Sequence, residues 1–497
     1  MKWLPVCSRI VCFIVISCFI VSCQKETDEK EPEKTPVTPR IFRDIEIAQL
    51  PDTVFLLGET PSFDGLKVVE KFTDGYEKEN TTYALKWEGN RFKTGTSTVT
   101  ILARGKTLSF DIKIENKLVD TGLPVVYIET EYRQPILSKH TYINAQMDIV
   151  NNDRTVYSGS MQIRGRGNAT WTYPKKPYKI KLDSKASLLG MDEDRDWVLL
   201  SNYCDKTLMR TSIAFKVSEL LNLAWTPKAK FVEVVLNGDY LGNYQLVELI
   251  KQDKKRVNIP ETGFIIERDG YYKEEPKWFT TPRGYGFSFK NPDTDELTEI
   301  QYNYIKDYMN EFEKVVDSDN FKDPVNGYMK YIHVESFARW FLVHQIIANI
   351  DTNPYVVKED MTADTKLSMG PVWDFEWSMG IGWYNGSRPR PADYFVCYEN
   401  FYFQRLLEDA RFATTLQQLW EANHNRVRQE LLQHMTDVQD EIMRSQELNF
   451  QRWDIMNVVV SVGGIPMGSF ENEVACDRQF FINRMNWLRT VIYNFKK

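Results

Sequence analysis

The chain has 497 residues, a formal net charge of −7, five histidines and seven cysteines. An acidic balance without a basic tract argues against a nucleic-acid binder, since nothing offsets phosphate repulsion. The sparse, odd set of thiols matches neither a disulfide framework nor a zinc-site spacing, so stability must come from apolar burial, and the length sets an expectation of two or three domains.

Lys2 supplies a positive start, residues 10–22 are almost wholly apolar, and Ile20-Val21-Ser22-Cys23 places small residues before a cysteine. The run is short for a spanning helix and resembles a bacterial lipobox. Residues 1–23 are therefore expected to be a lipoprotein signal peptide, with Cys23 lipidated and the mature chain anchored in the cell envelope, at the outer membrane or cell surface. An ordinary secretory signal or a membrane anchor is the other reading. Four cysteines belong to this segment, leaving Cys204, Cys397 and Cys476. Residues 24–40 are charged and Pro-rich with nothing to bury, which predicts a flexible tether.

Residues 41–116 alternate apolar and polar positions in short runs, as in 98–102 and 108–114, with turn residues between them. This predicts a small β-sandwich. The order Phe55-Leu56-Leu57-Gly58, Phe63-Asp64-Gly65-Leu66, Phe72-Thr73-Asp74-Gly75-Tyr76 and Gly95-Thr96-Ser97-Thr98 resembles bacterial immunoglobulin-like domains of surface proteins. No catalytic constellation lies here.

From about residue 117 the pattern becomes mixed. Strands are expected at 125–129, 160–164 and 177–182, and a hairpin at 231–248 turning on Asn237-Gly238. Helices are expected at about 208–221, 299–317 and 333–350. Beyond Tyr394 the chain reads as largely helical, ending in a stripe of Phe481, Met485, Leu488 and Ile492 near 471–493.

Three pieces can carry chemistry. In Ile163-Arg164-Gly165-Arg166-Gly167-Asn168, a strand runs into a small-residue loop whose N–H groups can approach phosphate. Arg166 and, from the following strand, Lys179 can spread charge over phosphate oxygens. Strand alternation puts Lys179 and Lys181 on one face and Tyr178, Ile180 and Leu182 on the other; a solvated lysine face is the plainer alternative. Asp351 follows a long apolar helix, where an acid can orient a hydroxyl, and Asp374 ends a strand start, where an acid can hold Mg2+. Residues 352–357 read as a strand, and pairing it with 366–372 through the polar loop 359–365 would fold Asp374 back toward Asp351. Plain alternatives are a turn residue for Asp351 and a turn cap for Asp374.

These pieces, with Asp196-Trp197-Val198-Leu199-Leu200-Ser201-Asn202 and the hairpin ending in Glu248 between them, occur in an order that resembles the CotH (spore-coat protein H) kinase family over roughly residues 124–390. The resemblance implies an α+β, atypical protein-kinase-like two-lobed body at 117–497, with a helical C-terminal region, preceded by the all-β sandwich. It implies ATP and Mg2+ (or Mn2+), a protein hydroxyl as acceptor, Asp351 as catalytic base, and nucleotide contacts from Arg166, Lys179 and Glu248. Metal contacts would come from Asp374, Glu376 and Asn353. Glu376 stands where the family often has a second Asp, and Asn353 follows Asp351 closely. A catalytically inactive binding or adhesion lipoprotein and a carboxylate-pair glycoside hydrolase remain alternative readings. Trp171, Trp225, Trp373 and Trp377 can stack a base or fill a core. The run Lys251–Arg256 can steer an anion, although charge runs are usually solvated faces. Cys204 lacks a partnering triad and carries little weight as a nucleophile.

Overall fold

The computed structural model describes residues 40–381, 392–396, 402–460 and 464–496. The expected signal segment with Cys23, the expected tether up to residue 39, and Cys397 lie outside the described residues. Seven strands come first: β1 (Phe42–Gln49), β2 (Val54–Leu57), β3 (Lys67–Phe72), β4 (Glu77–Asn80), β5 (Ala84–Trp87), β6 (Gly95–Ala103) and β7 (Lys106–Leu118). They form two sheets, ordered β1-β3-β4 and β2-β7-β6-β5. Alternation turns Val99, Ile101, Ile112 and Ile114 inward against Leu57 and Val68, which are buried.

The next seven strands are β8 (Val125–Thr130), β9 (Ile143–Asn151), β10 (Arg154–Gly165), β11 (Tyr178–Ala186), β12 (Asp194–Leu200), β13 (Ala229–Leu236) and β14 (Asp239–Glu248). They close into a barrel in the order β10-β11-β12-β14-β13-β8-β9. Its interior holds Val126, Met147, Ile163, Ile180, Trp197, Val234 and Leu246. The hairpin turns at Asn237 and Gly238, both with positive φ (52° and 77°), as a two-residue turn of this hand requires. Closure depends on β8 lying parallel to β13, far downstream. Such a pairing leaves no local signature, so the strands are legible and the barrel is not.

A five-stranded sheet follows, ordered β16-β17-β15-β18-β19, from β15 (Phe264–Arg268), β16 (Trp278–Thr280), β17 (Gly286–Asn291), β18 (Tyr355–Lys358) and β19 (Ser368–Met369). The helices are α1 (Ala169–Thr172), α2 (Arg210–Leu220), α3 (Glu299–Asp317), α4 (Val334–Ile347), α5 (Phe403–Leu407), α6 (Ala410–Glu441), α7 (Met443–Arg452) and α8 (Phe470–Val491). Helix α3 starts where Thr298 and Gln301 cap each other's backbone N–H, and it buries Ile305, Met309, Phe312 and Val316 on one stripe. Among the described residues, no helix is long and apolar enough to cross a membrane.

Helix α4 is the centre of the largest core, packed by α2, α6 and α8. Within it His344 is buried against Trp340 (ring centroids 3.8 Å) and Phe375 (5.5 Å), and neither ring nitrogen has a hydrogen-bond partner. Burial pushes its pKa down to about 3. The folded protein thus holds this imidazole neutral while the unfolded chain takes up a proton near pH 6.5. The stability this group leaves intact above pH 6.5 is lost as pH falls toward 3, at a limiting slope of about 1.4 kcal/mol per pH unit. Urea denaturation at stepped pH should show His344→Phe with a shallower acid loss than the wild type; parallel profiles would contradict this.

Candidate active site

Helix α4 ends at Ala348, whose left-handed conformation (φ 50°) lets its N–H reach the carbonyls of Gln345 and His344. The next residue, Asn349, is fully buried, and its side chain faces back along the turn. Asn349 Nδ2 donates to the carbonyl oxygen of Asp351 (2.8 Å) and to that of Asp374 (2.9 Å), while its Oδ1 accepts from the Asp351 N–H (3.3 Å). One amide therefore ties together the two loops that carry the acids. Asn353 Nδ2 donates to Asp351 Oδ1 at 2.7 Å.

The expected pairing of 352–357 with 366–372 is present, shortened to β18 against β19, with Val356 opposite Met369 and Val357 opposite Ser368. Backbone bonds from Gly370 to Tyr355 (2.9 Å), Ile350 to Trp377 (3.3 Å) and Met379 to Ile347 (2.8 Å) knit the returning loop to the end of α4. Asp374 adopts φ 64°, a conformation that Asp tolerates better than most residues. Phe375 turns fully into the core against Phe215 and His344. Asp374 remains exposed and Glu376 half-buried.

The facing wall is the loop between β10 and β11. Gly165 passes so close to Trp171 that a Cβ there would lie 2.3 Å from the indole, and Gly167 has φ 81°. Arg166 N–H donates to the Pro177 carbonyl (3.2 Å), and its guanidinium lies 5.3 Å from the Trp373 ring centroid. Lys179 sits opposite Arg164 in the strand register. Burial pushes Lys179 down to about 8; Asp196 opposes this, and Arg164, Arg166 and Lys290 reinforce it. Desolvation also lowers Arg166, against the pull of Tyr355, Asp374 and Glu267.

The acids act on one another. Asp351 is pushed up to about 7 by burial and then by the charges of Asp374 and Glu267, with Arg268 opposing. Asp374 is raised by protein crowding, with Arg166 opposing. Its side chain nevertheless keeps contact with water. Glu376 is pushed up to about 8 by burial, Asp374 and Asp205, with Lys175 and Arg166 opposing. Mutual repulsion of this kind is relieved by a bound cation.

Among the described residues, no three or more Asp, Glu, His or Cys side chains form a metal-binding group. Asp374, Glu376 and Asn353 are thus not a ready cage, and the Asn353 amide is engaged by Asp351. Mg2+ needs no such cage, because it keeps several waters and takes one or two carboxylates together with phosphate oxygens. A water-accessible Asp374 beside Glu376 fits that donor set.

Glu248, expected to contact nucleotide, is held by protein partners. Its carboxylate accepts the Lys228 N–H (3.0 Å) and pairs with buried Arg256, at the strand end opposite Trp197. The run Lys251–Arg256 does not form only a solvated face. Lys251 bonds Asp194 (3.3 Å) and Asp196 (2.8 Å), and Arg256 is buried between Glu248 and Asp194. Sequence reasoning missed Glu267, Arg268 and Lys290. Lys290 pairs with Glu267 at 2.9 Å, and Arg268 Nη1 donates to the Thr352 carbonyl (3.4 Å). The available signal was Phe264-Ile265-Ile266, an apolar strand ending abruptly in Glu267-Arg268-Asp269. The role of Asn349 had no comparable signal, because its partners are backbone carbonyls in two separate loops.

A family model described as CotH kinase protein matches residues 163–488. No curated protein matches the chain.

Asn349→Ala leaves two carbonyls without their shared donor, so it should cost about 1–3 kcal/mol in urea denaturation. Amide exchange should accelerate at residues 350–353 and 372–376 together. Acceleration in one loop alone would show that the tie does not couple them.

Proposed function

Because the chain belongs to the CotH kinase family, we propose that it transfers the γ-phosphoryl group of ATP, with Mg2+ or Mn2+, to a hydroxyl of an acceptor protein. The observation that supports this reading is the Asn349 tie between the backbones of Asp351 and Asp374, with the Arg166 guanidinium 5.3 Å from the ring centroid of Trp373, the residue before Asp374. Asp351 orients the acceptor hydroxyl and takes its proton, and Asn353 holds that carboxylate in place. Asp374, with Glu376, holds the divalent cation. When bound, that ion neutralises charge on the transferring phosphoryl group. Arg166 and Lys179 lie against phosphate oxygens, and the glycines at 165 and 167 let the loop backbone come close. The Lys290–Glu267 pair keeps a cation at the edge of the same recess.

In this reading residues 41–116 are an immunoglobulin-like domain, and residues 117–497 a kinase-like, two-lobed domain with a helical C-terminal region. The chain is secreted after a signal peptide, anchored through lipidated Cys23, and works at the cell surface. A second reading, a catalytically inactive nucleotide-binding or adhesion lipoprotein, draws support from Asn353, whose amide is committed to Asp351.

Labelled ATP with Mg2+ or Mn2+ should phosphorylate the chain itself or a surface-protein extract. Asp351→Ala and Asp374→Ala should each lower the rate by about 10²–10⁴-fold. Label transfer unchanged in both variants rejects these roles, and nucleotide binding without transfer in the wild type selects the inactive reading. Metabolic palmitate label should disappear in Cys23→Ala; label that persists would reject the anchor.

A further inference from the structure

The loop that carries Asp351 is held from two sides. On one side the Asn349 amide bonds the Asp351 carbonyl and N–H, both of them backbone groups. The carboxylate itself is held by Asn353, whose Nδ2 donates to Asp351 Oδ1 at 2.7 Å. Asn353 is exposed, so its side chain keeps that bond in one geometry only while the backbone on either side of it stays still.

One residue, Arg268, bonds that backbone on both sides. Strands β15 and β18 pair with Ile266 opposite Val356 and Glu267 opposite Tyr355, and the Arg268 N–H extends the ladder by donating to the Pro354 carbonyl (3.0 Å). Proline has no N–H to return, so the pairing stops there. Beyond that point the side chain takes over: Arg268 Nη1 donates to the Thr352 carbonyl at 3.4 Å. Thr352 and Pro354 are buried, with exposed Asn353 between them. The guanidinium lies 4.5 Å from the Tyr285 ring centroid. Tyr285 in turn meets Tyr402 edge-on (5.6 Å), and the Tyr402 hydroxyl donates to buried Glu313 (2.8 Å). The arginine thus reaches the loop from a ring set in the largest core, where stacking leaves it little further freedom to lose on making a hydrogen bond. Lys290 on the neighbouring strand is differently placed, since Glu267 (2.9 Å) and Glu275 (3.6 Å) claim its ammonium.

We propose that Arg268 is a positioning residue for Asp351: by bonding the carbonyls on both sides of Asn353 it fixes that amide, and through it the direction of the Asp351 carboxylate. The proposal rests on the preceding assignment of Asp351 as the group that takes the acceptor's proton. It adds a second support beside Asn349, which ties the Asp351 backbone to Asp374 and leaves the carboxylate to Asn353.

A double-mutant cycle on the full chain tests it. Arg268→Met keeps an apolar stem against Tyr285 and removes the side-chain donor. With labelled ATP it should lower kcat at least about tenfold and leave the KM for ATP within about twofold. Asn353→Ala should lower kcat by a similar factor, and the double variant no further, because both changes act along one path. Amide exchange gives a readout without activity: Arg268→Met should speed exchange at 351–353 by about tenfold and leave 372–376 as in the wild type. Losses in kcat that multiply in the double variant overturn the proposal. So does exchange that is unchanged at 351–353, or that rises equally in both loops. If Arg268→Met does not fold, Arg268→Gln goes through the same measurements. A wild-type chain that transfers no label contradicts the preceding reading, and the exchange result then decides whether Arg268 holds the loop.

Discussion

The arrangement of acids depends on one buried carboxamide. Asn349 has two N–H donors and spends them on two carbonyl oxygens 23 residues apart, those of Asp351 and Asp374. Burial first, and the charges of neighbouring acids after it, raise the pKa values of Asp351, Asp374 and Glu376. Something neutral must hold their backbones together, and an amide can do so without adding charge to the recess. The left-handed turns at Ala348 and Asp374 supply the geometry, and the burial of Phe375 keeps Asp374 facing outward.

The opposite wall follows a different rule. There the backbone approaches closely because glycines at 165 and 167 leave room beside Trp171 and Thr170, and cations from three strands converge on the recess. Arg164 and Lys179 are neighbours by register, Arg166 by the loop, and Lys290 by the second sheet. Glu267 keeps Lys290 charged and in place. A recess with acids on one side and cations on the other can take a cation and an anion together, which is the requirement of a metal–phosphate ligand.

Features written in short-range periodicity were legible in the sequence. The hairpin at Asn237-Gly238, the helix of residues 299–317 and the alternation that separates Lys179 from Tyr178 and Ile180 all follow from local rules. So did the return of the chain that brings Asp374 toward Asp351, since two apolar runs joined by a short polar loop tend to pair. What depends on distant partners was not legible. The parallel β8–β13 contact closes the barrel, Arg256 captures Glu248, and Lys290 finds Glu267 on the neighbouring antiparallel strand after the chain has first added β16 to the sheet edge. The Arg256 partner of Glu248 was hidden for that reason, because a strand-end acid looks the same whether or not a buried arginine meets it. The stacking of Phe92 on Tyr240 belongs to the same class.

The central claim is that Asp374 and its tied neighbours form a single cation–nucleotide site. Its most direct test is electron paramagnetic titration of the full chain with Mn2+ in the presence of a non-hydrolysable ATP analogue. The account predicts nucleotide-dependent Mn2+ binding that Asp374→Asn abolishes and Glu248→Gln leaves intact. Binding that survives Asp374→Asn, or that is lost with Glu248→Gln, would contradict it.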